Sequence, residues 1–277
     1  MRVIDHKSIQ AKKTGGSKLK KFLLVLALAI ILAFVYEVGV KHTVLNVNNK
    51  ENTPTKTATQ VSQSTAKNNL RQFTPEQFRE LYKSFVFPNT AKISEETPIT
   101  YSESLDERIR TLAAAKGYVI RSAPIVDSFV AVDSEHKLQQ KAYADWVELQ
   151  AHAVKDNIGL KVIAGYRSAE DQKEIFLSRL GNRYGATDAQ INNVLNTTAP
   201  PGYSRHHTGY TIDLACQGYE NRRFENTPCY TWLSANNYEN TKKAGWIPSY
   251  PAGATSQGPE PESWEYVWVS KDSTHTQ

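Results

Sequence analysis

Four stretches of this chain place apolar residues at the three- and four-residue spacing that is typical of an amphipathic helix. Their limits follow from residues that start or stop helices. Thr74 opens the first stretch, Pro88 stops it, and Ser168 is placed to cap the fourth. The predicted helices are residues 74–87, 105–116, 134–157 and 169–180.

Shorter runs between and after these helices carry alternating or continuous apolar residues, which indicates strands. The predicted strands are residues 118–120, 160–164, 211–215 and 266–269. The helices and strands do not alternate regularly, and the sequence contains no internal repeat. This order favours an α+β fold, with a small central antiparallel sheet and flanking helices, over a doubly wound sheet.

The N-terminal part contains an apolar segment. Residues 22–36 are uncharged and mostly apolar, and the run extends to Val40 if Glu37 lies at a membrane interface. A signal-peptide core has about 7–15 such residues and a membrane-spanning helix about 17–25, so length alone does not separate them. Because no small-x-small cleavage motif follows, we expect an uncleaved transmembrane helix over residues 22–40, with a cleaved signal peptide as the alternative. The polar residues 41–70 predict a flexible linker.

The basic residues of the chain are concentrated before this apolar segment. The whole chain has a formal net charge of +5, and residues 1–21 alone carry +6, from seven Lys or Arg and one Asp. The rest therefore sums to −1, and we expect no nucleic-acid partner. Basic residues before a span and few after it predict a single-pass protein of the bacterial cell membrane. Its N-terminus would be cytoplasmic and its large domain periplasmic or extracellular.

The two cysteines of the chain both fall in the part that is expected to be exported. Cys216 and Cys229 follow the third predicted strand. Outside the cytoplasm such a pair can be oxidised, so a disulfide is expected, with two free thiols as the alternative.

Two short runs carry the residue types of a metal site. Residues 204–213 read Ser-Arg-His-His-Thr-Gly-Tyr-Thr-Ile-Asp, and residues 262–265 read Glu-Ser-Trp-Glu. Zinc accepts imidazole nitrogen and carboxylate oxygen, and a catalytic zinc has three protein ligands and an open position. A further carboxylate can carry protons. Gly209 lets the chain bend between His206 and Asp213, and Asp213 sits in an apolar strand where an unpaired charge is costly.

The pattern Ser-x-His-x-x-Gly-x-x-x-Asp, preceded by Gly-Tyr-Arg-Ser and followed by Glu-x-Trp-x, resembles the VanY-type zinc D-alanyl-D-alanine carboxypeptidases. Related D,D-dipeptidases and peptidoglycan endopeptidases belong to the wider group. The resemblance covers about residues 134–270 and implies a metallo-carboxypeptidase that uses Zn²⁺ and acts on peptidoglycan stem peptides. The expected organisation is a cytoplasmic basic segment, an anchor, a linker, a helical N-terminal extension and a metallopeptidase domain, at residues 1–21, 22–40, 41–70, 71–130 and 131–277.

The resemblance also implies roles for individual residues. His206 and Asp213 match two zinc ligands, and Glu262 matches the catalytic base. Arg167 matches an arginine that stabilises a developing oxyanion or grips a terminal carboxylate. Ser168 is either a helix cap or a substrate contact, or both. The residues implied to contact or line the substrate site are Arg167, Ser168, Gln172, Ser204 and Trp264.

One position departs from the family pattern. Glu265 stands where the family has a histidine that is its third zinc ligand. A glutamate oxygen can bind zinc, but a second carboxylate makes the ion a weaker Lewis acid and favours harder metals. The alternatives are a metal site formed by His206, Asp213 and Glu265, or a catalytically silent module that only binds cell-wall peptides. A peptidoglycan endopeptidase is the alternative within the enzyme class.

Overall fold

The computed structural model describes residues 69–95 and 97–276. The helices are α1 Pro75–Ser84, α2 Glu103–Ala115, α3 Gln140–Lys155, α4 Ala169–Leu180, α5 Asp188–Leu195, α6 Pro228–Lys243 and α7 Lys271–Thr274. The strands are β1 Thr90–Lys92, β2 Ser122–Pro124, β3 Phe129–Ala131, β4 Lys137–Gln139, β5 Leu160–Ala164, β6 Thr211–Cys216, β7 Trp246–Tyr250 and β8 Glu262–Trp268. The α+β prediction is confirmed.

A four-stranded antiparallel sheet forms the centre, in the order β5-β6-β8-β7. Two short hairpins, β1-β2 and β3-β4, lie outside it. On β6, Ile212 and Leu214 belong to a buried core with residues of α3 and α6. Successive side chains of a strand point to opposite faces, so Asp213 points away from this core.

Two hydrophobic cores hold the described residues together. The first joins the sheet with α1, α3 and α6, and the second joins α2, α4 and α5. The predicted extension, residues 71–130, contributes to both: Phe78 and Tyr82 of α1 lie in the first core, and Ile109 of α2 lies in the second. The described residues belong to one compact unit, so this segment packs as part of the domain.

Three predicted elements differ most from the structure. The last predicted strand, residues 266–269, begins four residues earlier, at Glu262 of β8. Residues 118–120 are not a strand. The amide of Arg121 donates to the carbonyl of Gly202, and strand pairing begins only at Ser122. The third helix begins at Gln140 instead of residue 134 because Asp133 accepts bonds from two following amides and turns the chain into the β3-β4 hairpin.

Eight elements were not predicted: the short strands β1 to β4, strand β7 and helices α5, α6 and α7. Helix α5 starts with a capping box at Thr187, but its eight residues are too few for a clear apolar period. Helix α6 is interrupted at Ala235–Tyr238, where three residues have left-handed backbone angles. All five residues of β7 are buried, so the strand lacks the alternation that marks a half-buried strand.

Within residues 69–95 and 97–276, no helix combines the length and the apolarity that are needed to cross a bilayer. The predicted transmembrane helix, residues 22–40, and nearly all of the predicted linker lie outside the described residues.

A disulfide joins Cys216, the last residue of β6, to the fully buried Cys229 near the start of α6. We expect Cys229→Ser to lower the free energy of unfolding by about 3 kcal/mol, because the bridge closes a loop of similar size to the one for which chain entropy gives that value. Denaturant unfolding of oxidised protein measures the change. Non-reduced peptide mapping is the control, and free thiols at both positions would contradict the prediction.

Candidate metal centre

Two carboxylates of the site face each other across neighbouring strands. In the antiparallel register of β6 and β8, Asp213 lies directly opposite Glu265. Side chains in such positions are about 4.5–5.5 Å apart at Cβ, and like charges there repel. Because Glu265 is buried, the pair requires positive charge beside it.

An irregularity in β8 brings a third carboxylate to the same place. Pro248 of β7 pairs with Tyr266, whereas Tyr250 pairs with Glu262. An advance of two residues along β7 thus corresponds to four residues along β8. Such a bulge changes the direction in which the side chains of the bulged strand point. As a result Glu262 and Glu265, three positions apart on one strand, line one cavity.

A short turn of 3-10 helix, Arg205–Thr208, carries His206 to these carboxylates. The turn ends at Gly209, which has a φ of +75°, and a Cβ there would lie 2.7 Å from the ring of Phe129. Only glycine fits this bend. Nδ1 of His206 donates to the carbonyl oxygen of Gly165 at 2.7 Å. This bond leaves Nε2 as the free ring nitrogen that faces the carboxylates.

The distances from His206 to the two carboxylates match those in a tetrahedral metal site. Nε2 of His206 lies 3.3 Å from Oδ1 of Asp213 and 3.4 Å from Oε2 of Glu265. Two ligands of a tetrahedral zinc with bonds of 2.0–2.1 Å are about 3.3–3.4 Å apart. One donor atom from each of the three residues can be chosen so that all lie within 4.8 Å of one another.

The hydrogen bonds of the two carboxylates also leave one oxygen of each available to a cation. Oδ1 of Asp213 is buried and has no hydrogen-bond partner among the described residues. Its ion-pair contact with Nε2 of His206 is the same contact that a shared metal ion would replace, and the ion would satisfy both atoms. The other oxygen of Glu265, Oε1, accepts a hydrogen bond from Ser249 Oγ, which leaves Oε2 for the ion. The residues present therefore fit a divalent metal.

The neighbouring His207 is not part of this group. Its Nδ1 lies 2.8 Å from the carbonyl oxygen of Arg167, and its Nε2 accepts from the amide of Gly202 at 3.0 Å. Burial lowers the pKa of His207 to about 4. Both ring nitrogens are used, so His207 is a neutral structural residue.

The charges of the site act on one another strongly. Burial lowers the pKa of His206, but Asp213 and Glu265 outweigh it and raise the pKa to about 10. Burial raises the pKa of Glu265, but His206 and Arg205 outweigh it and lower the pKa to about 2. Burial raises the pKa of Glu262 well above its ordinary range, and the charge of Glu265 adds to this effect. A cation placed nearby would favour the ionised form of Glu262.

A cavity of about 350 Å³ opens beside the donor atoms. One wall is a face of α4, on which Gln172, Ile175 and Arg179 recur at helical spacing. Arg167 lies just before this helix and also lines the cavity. Two guanidinium groups therefore line the same cavity as the three candidate metal ligands, an arrangement that suits an anionic group such as a carboxylate.

The structure places Gln172 as a support for Arg167. Oε1 of Gln172 accepts from Nη1 of Arg167 at 2.9 Å, and its Nε2 donates to the carbonyl of Ala199 at 2.7 Å. Both ends of the buried amide are engaged. Gln172 lines the cavity, but in this arrangement it orients the arginine instead of offering a free amide to a substrate.

The other residues implied to contact substrate divide into two groups. Ser168 caps α4 through its exchange of hydrogen bonds with Asp171, and it is not among the residues that line the cavity. Ser204 and Trp264 do line it. Ser204 is buried, whereas 37% of Trp264 is exposed at the rim.

Several site residues were not predicted. Arg179 could have been found from its helical spacing with Gln172. Ser249 gave no signal, because a serine in a fully buried strand has no distinctive pattern. Arg205 lies inside the first motif, but its partners come from distant parts of the chain.

A family model described as D-alanyl-D-alanine carboxypeptidase, VanY, matches residues 135–271. The resemblance inferred from the motifs is confirmed. The matched family consists of peptidoglycan-acting metallopeptidases, so the prediction of a peptide hydrolase is confirmed at that level. No curated protein matches the sequence significantly.

Three solved structures are similar to this chain, each at 25% identity. A mutant of the vancomycin resistance D,D-pentapeptidase VanY from a VanB-type cassette, in complex with Zn(II), has a TM-score of 0.44 over 56% of this chain and 82% of that one. VanYB in complex with D-alanine-D-alanine has a TM-score of 0.45 over 54% and 83%. The LdcB LD-carboxypeptidase has a TM-score of 0.42 over 56% and 69%.

Replacement of the third donor tests the metal site. We expect the full-length protein to bind one divalent ion and Glu265→Ala to lose it, because only two donors remain. Metal analysis after gel filtration measures the stoichiometry. Asp133→Ala is a matched control, since Asp133 pairs with His136 at 2.9 Å on the surface. Equal metal content in Glu265→Ala and the unmodified protein would contradict the ligand assignment.

Proposed function

We propose, from the premise that residues 135–271 form a domain of the VanY family of D-alanyl-D-alanine carboxypeptidases, that this protein is a zinc-dependent carboxypeptidase acting on peptidoglycan stem peptides. The observation that carries the proposal is the shared cavity. His206, Asp213 and Glu265 line it together with Glu262 and the two arginines described above.

The two arginines are suited to hold the end of the substrate. A peptide that ends in D-alanine presents a free carboxylate, and guanidinium groups bind carboxylates with paired hydrogen bonds. Arg167 is fixed by Gln172, and Arg179 donates to the hydroxyl of Thr198. Such an anchor favours cleavage next to a free terminus, which is the action of a carboxypeptidase.

Glu262 is suited to move the proton. His206, Asp213 and Glu265 would hold a divalent ion, which would supply Lewis acidity toward the peptide carbonyl and toward water. Glu262 lines the cavity beside them and, once ionised, can accept the proton of the attacking water. The same carboxyl then delivers a proton to the amine of the departing D-alanine. In the alternative role that the resemblance implies, Arg167 would instead stabilise the negative charge that develops on the carbonyl oxygen and leave the terminal carboxylate to Arg179.

A second cavity next to Trp264 can hold the residues of the peptide that precede the cleaved bond. This cavity, of about 370 Å³, shares Tyr250, Glu262 and Trp264 with the first. A peptide bond held next to Glu262 would leave the terminal residue in the first cavity and the preceding residues in the second. This continuity supports a peptide substrate that extends beyond the cleaved bond.

The terminal carboxylate is the feature to test. We expect the full-length protein with zinc to release D-alanine from a stem peptide that ends in D-Ala-D-Ala. The same peptide with a C-terminal amide should react at least about 10-fold more slowly, because charged hydrogen bonds to the arginines are lost. Chromatography of the products measures both rates. Equal rates would favour an endopeptidase, and binding of both peptides without cleavage would favour a silent wall-binding module.

The proton carrier can be tested in the same assay. Glu262→Gln should lower the rate by at least about 10²-fold, since it removes the base and keeps the shape of the side chain. Its metal content should be unchanged. Glu174→Gln on the exposed side of α4 is the control and should retain activity. Full activity of Glu262→Gln would show that another group carries the proton.

We also propose that residues 22–40 anchor the protein in the bacterial cell membrane with residues 41–277 outside the cytoplasm. The proposal rests on the apolar run and on the lysines that precede it. N-terminal sequencing of protein extracted from membranes should find the chain uncleaved. A mature N-terminus near residue 40, or recovery of the protein without detergent, would favour a cleaved signal peptide.

A further inference from the structure

A buried arginine lies behind the metal ligands. The guanidinium carbon of Arg205 is 3.7 Å from the ring centre of Tyr82 and 3.8 Å from that of Tyr250. Arg205 is 2% exposed. A charge that is sandwiched between two aromatic rings is held in one plane and shielded from water.

This arginine is connected to Glu265 by hydrogen bonds. Nη1 of Arg205 donates to the carbonyl oxygen of Ser249 and contacts its Oγ at 2.9 Å. The Ser249 hydroxyl in turn donates to Oε1 of Glu265. All three residues are buried. The chain of contacts therefore runs from a fixed cation to one oxygen of the carboxylate and leaves the other oxygen directed at His206.

The net charge of the three candidate ligands explains why a cation connected to Glu265 matters. A neutral histidine and two carboxylates cancel the formal charge of a divalent ion, which weakens its action on a substrate. The Arg205 cation restores one positive charge next to the ligand that Glu265 provides. Ligands of this kind depend on partners that fix their orientation and basicity.

We propose that Arg205 is a positioning residue that, through Ser249, orients Glu265 and supplies the positive charge that lets a second carboxylate serve as the third metal ligand. The inference rests on the metal site of the proposed function. It also assigns a role to the N-terminal extension, because Tyr82 of α1 lies outside residues 135–271 and forms one side of the sandwich. The extension thus takes part in the metal site.

Packing alone is the competing explanation for Arg205. A second buried arginine allows the two explanations to be separated. The guanidinium of Arg121 lies 4.9 Å from the same Tyr82 ring, but its Nε donates to the carbonyl of Tyr203. No hydrogen bond connects Arg121 to Ser249 or Glu265 among the described residues, so Arg121→Met is a matched control.

The test is a double-mutant cycle on zinc affinity in the full-length protein, measured by competition with a chromophoric chelator. Arg205→Met should weaken zinc binding by about 10–100-fold. In the Glu265→His background, which has no second carboxylate to orient, the same change should have an effect within about twofold. Arg121→Met should leave zinc affinity within about twofold in either background.

Thermal unfolding of the metal-free proteins provides the second readout. If Arg205 only packs the core, Arg205→Met will lower stability alike in both backgrounds and its effect on zinc affinity will not depend on residue 265. That result would overturn the proposal. Should Arg205→Met fail to fold, Ser249→Ala removes only the connecting hydroxyl, and it is expected to weaken zinc binding about 10-fold with Glu265 present but not with Glu265→His.

The outcomes also separate this inference from the proposed function. A protein that binds no stoichiometric zinc and cleaves no peptide contradicts both. A protein that binds zinc and releases D-alanine, yet shows no coupling between Arg205 and Glu265, keeps the proposed function and loses only this inference.

Discussion

The repulsion between Asp213 and Glu265 is the constraint on which the rest of the site depends. They lie opposite each other on central strands of the sheet, and because Glu265 is buried, water screens their charges poorly. The fold offsets this repulsion with two groups: His206, which contacts both carboxylates, and Arg205, which is connected to Glu265 through Ser249. The left-handed bend at Gly209, the bond from His206 to Gly165 and the stacked tyrosines all keep positive or ion-binding groups beside the two carboxylates. A polar cluster of this kind is stable only when each member is satisfied.

The position of the cluster between two hydrophobic cores explains how it serves a substrate. The sheet buries one face against α3 and α6, and its other face, with Asp213, opens toward the α4 side. Two of the candidate ligands, Asp213 and Glu265, are therefore held by the sheet and His206 by the short 3-10 turn before β6, whereas the groups suited to a substrate carboxylate come from a helix and the loop before it. Separate elements for the candidate ligands and for the substrate wall allow the donor geometry to stay fixed while specificity is set elsewhere.

The sequence predicted the fold class, most of the helices and the residues that the structure brings together around His206. These predictions depended on local signals: apolar periodicity, capping residues and short motifs. The bulge in β8 could not be predicted, because register is set by pairing with β7, a strand whose full burial hides its pattern. Arg205 and Ser249 were missed because their roles arise only when residues far apart in the chain meet. The departure at Glu265 was visible in the sequence, but the partners that make it workable were not.

The contact between Tyr82 of helix α1 and Arg205 has a consequence for how this protein can be divided or recombined. A chimaera that transplanted only the segment matched by the family would carry the three candidate metal ligands and Glu262, yet it would expose one flat side of Arg205 to solvent. The segment that the family model matches and the segment that must be kept together would then have different boundaries. The smallest portable unit that covers both faces of Arg205 would begin before Pro75, well upstream of the first recognisable motif.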